Sequence, residues 1–347
     1  MKANIDYLTS LANNDNVQAQ YQLSQLLLDS DPNQAQYWLK RAANNGFLPA
    51  HLTLNKLQLI YSQTVKEVNY VQDNFLKIAQ HGLIHGTYEF AKLFLVTNQK
   101  PFSKITAELK SKINNLLPDE QLQIIDNKLN SINSSFKFAL TERQSLLPPN
   151  NNSQQLVALI PKVVPKSICK NIIEFRKGHV EPSHVVDPVS GERIRNQIRQ
   201  SKSLTLDLSE MTLEEAVLLK IVSDIFELGW SNCEPVNLIR YDEDDYYGKH
   251  HDCFVEANKG TSSATENNRL YTAILYLNED YDAGETKFDK LGISLKANTG
   301  DMLIFKNMKD GSPDLSLIHE GAKVKGVNPK WVMTFWFREQ SLLKESE

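Results

Sequence analysis

The stretch LLPPNNNSQQ, Leu146 to Gln155, sets two prolines just ahead of three asparagines, a run that opposes both helix and strand. The segments on either side follow different periodicities. The chain is therefore expected to fold as two domains, residues 1–145 and 156–347, joined by a linker at 146–155. Its 347 residues exceed what one hydrophobic core usually organises, which agrees with that division.

Ahead of the linker, from Gln18 to about Phe94, the pattern is helical and it repeats. AQYWLKRAANNGFLPA (Ala35 to Ala50) is echoed by NFLKIAQHGLIHG (Asn74 to Gly86), with Ala43 matching Ala79, Gly46 matching Gly82 and Ala50 matching Gly86, each 36 positions on. A constant offset of this size marks stacked helix-turn-helix units. AQYQLSQLLLDSDPNQA reads as the first helix of the earlier unit and GTYEFAKLFL as its equivalent in the later one. The two units, roughly residues 17–96, resemble the Sel-like relatives of tetratricopeptide repeats. That resemblance implies a solenoid-like region that binds a protein or supports its neighbour; an ordinary helical bundle is the alternative. Residues 103–146 continue the helical periodicity without an echo, as a degenerate cap or a connecting helix.

After the linker the pattern changes. LVALIPKVV is a short apolar run, KSICKNIIEFRK reads as a helix, and TLEEAVLLKIVSDIFELGW reads as a longer one, with Thr212 and Glu215 in capping-box spacing and a stop at Gly229. From Pro235 onward short β-rich runs recur, VNLIRY, LYTAILYLN, ISLKA, DMLIFKN and WVMTFWFRE, separated by Gly, Asn and Asp. Such runs, following helices that back a sheet, predict a sandwich or jelly roll with supporting helices. The overall class is α+β multidomain.

Composition narrows the function. A formal net charge of -4 excludes a general nucleic-acid binder held by a basic surface. No apolar run reaches the length of a membrane span, and MKANIDYLTSLANNDN lacks a basic segment followed by an apolar core, so the expected location is cytoplasmic. Cys169, Cys233 and Cys253 are too few and too scattered for a disulfide framework or a C-x-x-C zinc pair.

YYGKHHDCF, Tyr246 to Phe254, carries the chemistry. In a strand, His250 and Asp252 project to one face while His251 points the other way, so an imidazole and a carboxylate converge on one ion. Two histidines and one carboxylate on one face of an octahedral ion leave positions open, as in non-haem Fe(II) oxygenases. By itself H-x-D is equally a solvated turn, and a third ligand has to come from elsewhere in the fold.

The following features stand in one order: Arg240-Tyr241; Tyr247, His250 and Asp252 as Y-x-x-H-x-D; Arg269 before Thr272, Tyr276, Leu277 and Asn278; G-E-T-x-F at Gly284 to Phe288; G-D-x-L-x-F at Gly300 to Phe305; His319 and Gly321; Lys330-Trp331; and, upstream, Arg199 and Ser201. In that order, residues from about 156 to 340 resemble the catalytic domain of prolyl 4-hydroxylase-type Fe(II)/2-oxoglutarate-dependent dioxygenases. The resemblance implies a double-stranded β-helix and His319 as third ligand beside His250 and Asp252. It implies Fe(II) as cofactor, 2-oxoglutarate and O2 as cosubstrates and ascorbate as reductant.

By the same resemblance Lys330 holds the far carboxylate of 2-oxoglutarate, with Tyr241 and Thr286 as hydroxyl donors, each of which equally suits a packing role. Arg199 and Tyr247 are the substrate-side candidates. Three departures bear on this. Lys330 stands eleven positions after His319 where ten is usual, which leaves Lys325 as a rival; Ala283 replaces the first glycine of G-G-E-T; Lys323 replaces a common proline. The retained Asp252 argues against halogenation, since the related halogenases lack it.

The implied activity is hydroxylation of a substrate C–H, with a peptidyl proline first in line, coupled to decarboxylation of 2-oxoglutarate to succinate and CO2. The implied partner is a protein or peptide substrate recruited by the helical repeats, with no nucleic acid and no membrane. A free amino acid or small metabolite as substrate, or a non-catalytic repeat-based binding module, are the alternatives. FVEANKGTSSATENN (Phe254 to Asn268) is a lid or a solvated insertion, Pro182 to Ser203 a substrate-facing segment, and DEDD (Asp242 to Asp245) a solvated turn or a contact for a basic substrate.

Overall fold

The structure is a computed structural model that describes residues 2–28, 30–114, 116–135, 144–146, 156–183, 185–186, 193–194, 198–254 and 267–344. Most of the linker, most of the loop 254–268 and part of the segment 182–203 lie outside the described residues. By compactness the chain divides into one unit of residues 1–98, 106–127 and 344–347 and a second of residues 99–105 and 128–343.

In the first unit, helices span Lys2–Asn13, Val17–Leu27, Pro32–Asn44, Leu48–Ile60, Val65–Gln80 and Ile84–Thr97, and each packs on its neighbour in sequence. The 36-residue echo corresponds to one turn made twice. Gly46 and Gly82 take φ of +84° and +94°, where the Gly46 and Gly82 N–H groups bond back to the carbonyls of Ala43 and Ala79. Ala50 and Gly86 then lie buried in the following helices, and at Gly86 a Cβ would come within 2.8 Å of the Ala79 nitrogen. One assignment changes. GTYEFAKLFL follows the later turn, so its equivalent is the helix Leu48–Ile60; AQYQLSQLLL belongs to Val17–Leu27, which precedes the helix Pro32–Asn44 that leads into the earlier turn.

In the second unit the strands form an eight-stranded antiparallel sheet, in the order Gln144–Ser145, Val157–Ile160, Met302–Lys306, Arg269–Tyr276, Lys330–Arg338, Val236–Tyr241, Lys202–Leu206, Glu181–Pro182. A five-stranded antiparallel sheet runs Ile293–Leu295, Thr286–Phe288, His319–Gly321, Tyr246–His250, Arg199–Gln200. Their inner faces share one core: Ile239, Tyr276, Leu303, Phe305 and Val332 from the large sheet meet Phe288, with Ile293 and Leu295 packed alongside, from the small one. This is the two-sheet jelly roll that the strand pattern predicts.

The helix Leu213–Phe226 carries the expected capping box, Thr212 and Glu215 each serving the other's backbone. It stops two residues short of Gly229, at Glu227 with φ +56°, because the Leu228 N–H already closes onto the Ser223 carbonyl. Gly300 guards the entry to the strand Met302–Lys306. Its φ is +87°, and a Cβ there would stand 1.9 Å from the Val164 carbonyl oxygen. Gly300→Ala is expected to destabilise the protein by about 3 kcal/mol or more, read as a lowered urea midpoint; an unchanged midpoint would contradict this packing.

Candidate metal centre

The small sheet sets the site. Tyr246–His250 pairs antiparallel with His319–Gly321, placing His250 directly opposite His319. Asp252 does not extend the strand as alternation predicts: the strand ends at His250, and a bend at Asp252 and Cys253 follows, with the carboxylate facing both imidazoles. His251 is held outside, its Nδ1 accepting from the Cys253 N–H at 3.0 Å and its Nε2 donating to the Asp314 carbonyl at 2.8 Å.

Asp252 Oδ1 lies 3.5 Å from His250 Nε2 and 4.0 Å from His319 Nε2. One ligand atom from each of the three side chains falls within 4.8 Å of the others, and among the described residues no other trio of His, Cys, Asp or Glu does this. Both imidazoles are oriented alike: Nδ1 donates to a backbone carbonyl, Gly248 for His250 and Leu317 for His319, each at 2.9 Å. That fixes the tautomer and turns the Nε2 lone pair inward.

Charge at the site follows from burial. His319 is pushed down to about 4, first by burial and then by the neighbouring His250, so it is neutral at physiological pH. Burial alone would raise the Asp252 carboxyl, but the charge effect of His319, the His250 hydrogen bond and Arg269 outweigh it and hold it well below the usual carboxylate range. Two imidazoles and one carboxylate sharing an open face are a donor set that fits Fe(II).

The other end of the same pocket lies on the large sheet. Lys330 pairs with Tyr241 across its strand, and the pocket is lined by Tyr241, Thr286 and Lys330 together with His250, Asp252 and His319. Lys330 is 3% exposed and donates to the Gly284 carbonyl at 2.7 Å. Its ammonium lies 5.4–5.8 Å from the rings of Tyr276, Tyr241 and Tyr281. Burial pushes it down to about 8, with Glu285 opposing. Lys325, by contrast, is exposed and paired with Asp244 at 2.5 Å, outside the pocket. Thr286 shares a 2.7 Å hydrogen bond with Tyr276 that ties the two sheets together, and burial pushes the Tyr241 phenol up to about 12, so it stays protonated.

At the rim, Arg199 lies opposite Tyr247 in the sheet, its guanidinium 5.0 Å from that ring, which in turn stacks 3.5 Å from the His250 ring. Arg199 Nε donates to Ser201 at 2.9 Å, while one Nη is buried with no hydrogen-bond partner among the described residues. Sequence reasoning gave no role to Thr272, Asn307, Tyr276 or Trp336. Thr272 carried a signal: it is a polar residue on the inward face of an apolar strand, two positions before the pocket-lining Ile274.

A buried ammonium whose hydrogen-bond partner among the described residues is one carbonyl is costly. Lys330→Met is expected to stabilise the ligand-free protein by about 1–3 kcal/mol at pH 7. The unfolded lysine keeps its proton to 10.5 and the buried one only to about 8, so this penalty applies in full below pH 8. Wild-type stability rises with pH between those values and the advantage of the variant shrinks. A lowered melting midpoint for Lys330→Met at pH 7 would contradict the assignment of an uncompensated charge.

Known proteins resemble the second half of the chain. Residues 236–338 match the 2OG-Fe(II) oxygenase superfamily. A prolyl 4-hydroxylase homologue from Acanthamoeba polyphaga mimivirus is 27% identical over 176 residues, 50% of this chain and 69% of its own. Prolyl 4-hydroxylase 1 of Arabidopsis thaliana is 25% identical over 227 residues, 59% of this chain and 78% of its own. Among solved structures, the viral collagen prolyl hydroxylase of Paramecium Bursaria Chlorella virus-1, in its 2OG complex, aligns at 20% identity with a TM-score of 0.41, over 52% of this chain and 95% of that one. The segment that matches the 2OG-Fe(II) oxygenase superfamily, residues 236–338, is the one that carries His250, Asp252, His319 and Lys330.

Proposed function

We propose that this chain is an Fe(II)- and 2-oxoglutarate-dependent dioxygenase that hydroxylates a peptidyl proline. One observation carries the reading: a buried two-histidine, one-carboxylate cluster and a buried ammonium with no carboxylate partner among the described residues line the two ends of one pocket. The cluster calls for a metal that keeps positions open. The ammonium calls for an anion to offset its desolvation. 2-Oxoglutarate, a chelator at one end and a carboxylate at the other, answers both. The proline comes from the relatives, which are named for that activity.

Iron with 2-oxoglutarate and O2 supplies the oxidising chemistry, converting 2-oxoglutarate to succinate and CO2 and placing one oxygen atom on a substrate carbon. The chain's own residues hold and aim. His250, Asp252 and His319 bind the metal, Lys330 receives the far carboxylate, and the protonated Tyr241 phenol and the Thr286 hydroxyl flank it. Ile239, Ile274 and Val332 supply an apolar wall that limits water. Arg199, stacked on Tyr247, offers its unpartnered Nη to a substrate carbonyl. Ascorbate is the expected reductant, and three free cysteines suit a cytoplasmic location. No helix among the described residues is long and apolar enough to cross a membrane.

In the helical unit, a groove lined by His51, Asn55, Tyr70, Asn74, Lys77 and His81 is the candidate surface for recruiting a protein substrate. Tyr70→Ala with Asn74→Ala is expected to raise KM for a protein substrate several-fold and leave a short peptide's kinetics unchanged. Equal KM values for the protein substrate would remove the recruitment role.

The reading as a whole is tested with the full chain, Fe(II), 2-oxoglutarate, ascorbate and a proline-rich peptide. Succinate is expected in step with a one-oxygen mass gain on proline, lost in His319→Ala, and 2-oxoglutarate affinity is expected to weaken as pH rises through about 8, where free Lys330 gives up its proton. Succinate formed with oxygen placed on a free amino acid would shift the reading to a small-molecule hydroxylase, and no turnover at all would favour a binding module.

A further inference from the structure

The two oxygens of Asp252 have different partners. Oδ1 faces His250 Nε2 and His319 Nε2, whereas Oδ2 accepts a hydrogen bond from Thr272 Oγ1 at 2.7 Å. Thr272 in turn accepts from Asn307 Nδ2 at 2.9 Å. Both residues are fully buried, Thr272 on the strand Arg269–Tyr276 and Asn307 just past the neighbouring strand Met302–Lys306.

The direction of this chain follows from donor counting. A threonine hydroxyl has one hydrogen, and an ionised carboxylate only accepts. Because the Asn307 amide donates into the Thr272 oxygen, the single Thr272 hydrogen is directed at Asp252 Oδ2. The backbone is held from the same strand: the Arg269 guanidinium, paired with Glu234 at 2.8 and 2.7 Å, donates to the Asp252 carbonyl at 3.2 Å.

We propose that Thr272 and Asn307 are positioning residues that commit Asp252 to one-oxygen coordination, by occupying Oδ2 and leaving Oδ1 for the metal. A carboxylate free to chelate through both oxygens would use a coordination position that 2-oxoglutarate and O2 require. The inference rests on the reading of His250, Asp252 and His319 as the metal site.

The test is Co(II) binding to the ligand-free full chain, followed by its visible absorption. The parent is expected to bind one Co(II) and His319→Ala to bind none at this site; a parent that binds no Co(II) would defeat the metal-site reading itself, which separates that failure from failure of the present inference. Thr272→Val, which keeps the shape and removes the hydroxyl, is expected to weaken Co(II) binding by roughly 10–100-fold and alter the band pattern. Thr272→Ser is expected to restore both. Since Thr272→Val leaves the Asn307 amide buried without its acceptor, the paired change Thr272→Val with Asn307→Leu removes both groups together and decides the matter if the single variant does not fold. Parent-like affinity and bands in the valine variants would overturn the proposal, as would an equal loss in Thr272→Ser.

Discussion

The site depends on the register in which Tyr246–His250 meets His319–Gly321. That pairing puts two histidines, 69 positions apart in the chain, directly opposite each other on the small sheet, with Nδ1 of each tied to a carbonyl two residues earlier. A slip of one residue would turn one imidazole to the opposite face of the sheet and leave the carboxylate with a single partner. Asp252 then completes the cluster from the bend that follows, held by a hydroxyl and a guanidinium from the large sheet. Each sheet thus supplies part of what fixes the centre, and the jelly roll is the framework that brings them together.

The pocket is organised by two opposite charges kept from meeting. Asp252 at one end is held ionised beside two imidazoles, and Lys330 at the other is buried against carbonyl and ring atoms. Buried charges of this kind reduce stability unless something compensates them. Most of the core around them, Ile239, Phe288, Leu303, Phe305 and Val332, contributes only apolar surface. The charged residues therefore sit where a metal and a dianion would compensate them, which is how a fold gives up stability at a functional site.

Much of this was legible in the sequence because it rests on local rules. Period-two runs gave the strands, the Thr212/Glu215 spacing gave the helix start, and the 36-residue echo corresponds to a repeated turn with left-handed glycines at Gly46 and Gly82. The ordered motifs point to His250, Asp252 and His319 from the sequence alone. What stayed hidden depends on pairing across the fold. Lys325 and Lys330 could not be separated by spacing, since one extra residue in a loop moves a count without moving a strand; the ladder opposite Tyr241 places Lys330 in the pocket and leaves Lys325 outside. Thr272 and Asn307 were likewise out of reach, because their role exists only where two neighbouring strands lie over the small sheet.

The central claim is that the metal cluster and Lys330 bind one molecule between them. The most direct measurement is an anaerobic titration of 2-oxoglutarate into the Fe(II)-loaded protein, following the weak visible charge-transfer band of the chelate, in the wild type and in Lys330→Ala. The account predicts a saturable band in the wild type and the same band in the variant only at far higher 2-oxoglutarate. A band with equal affinity in both proteins would contradict the place given to Lys330, and no band in iron-loaded wild type would contradict the account at its root.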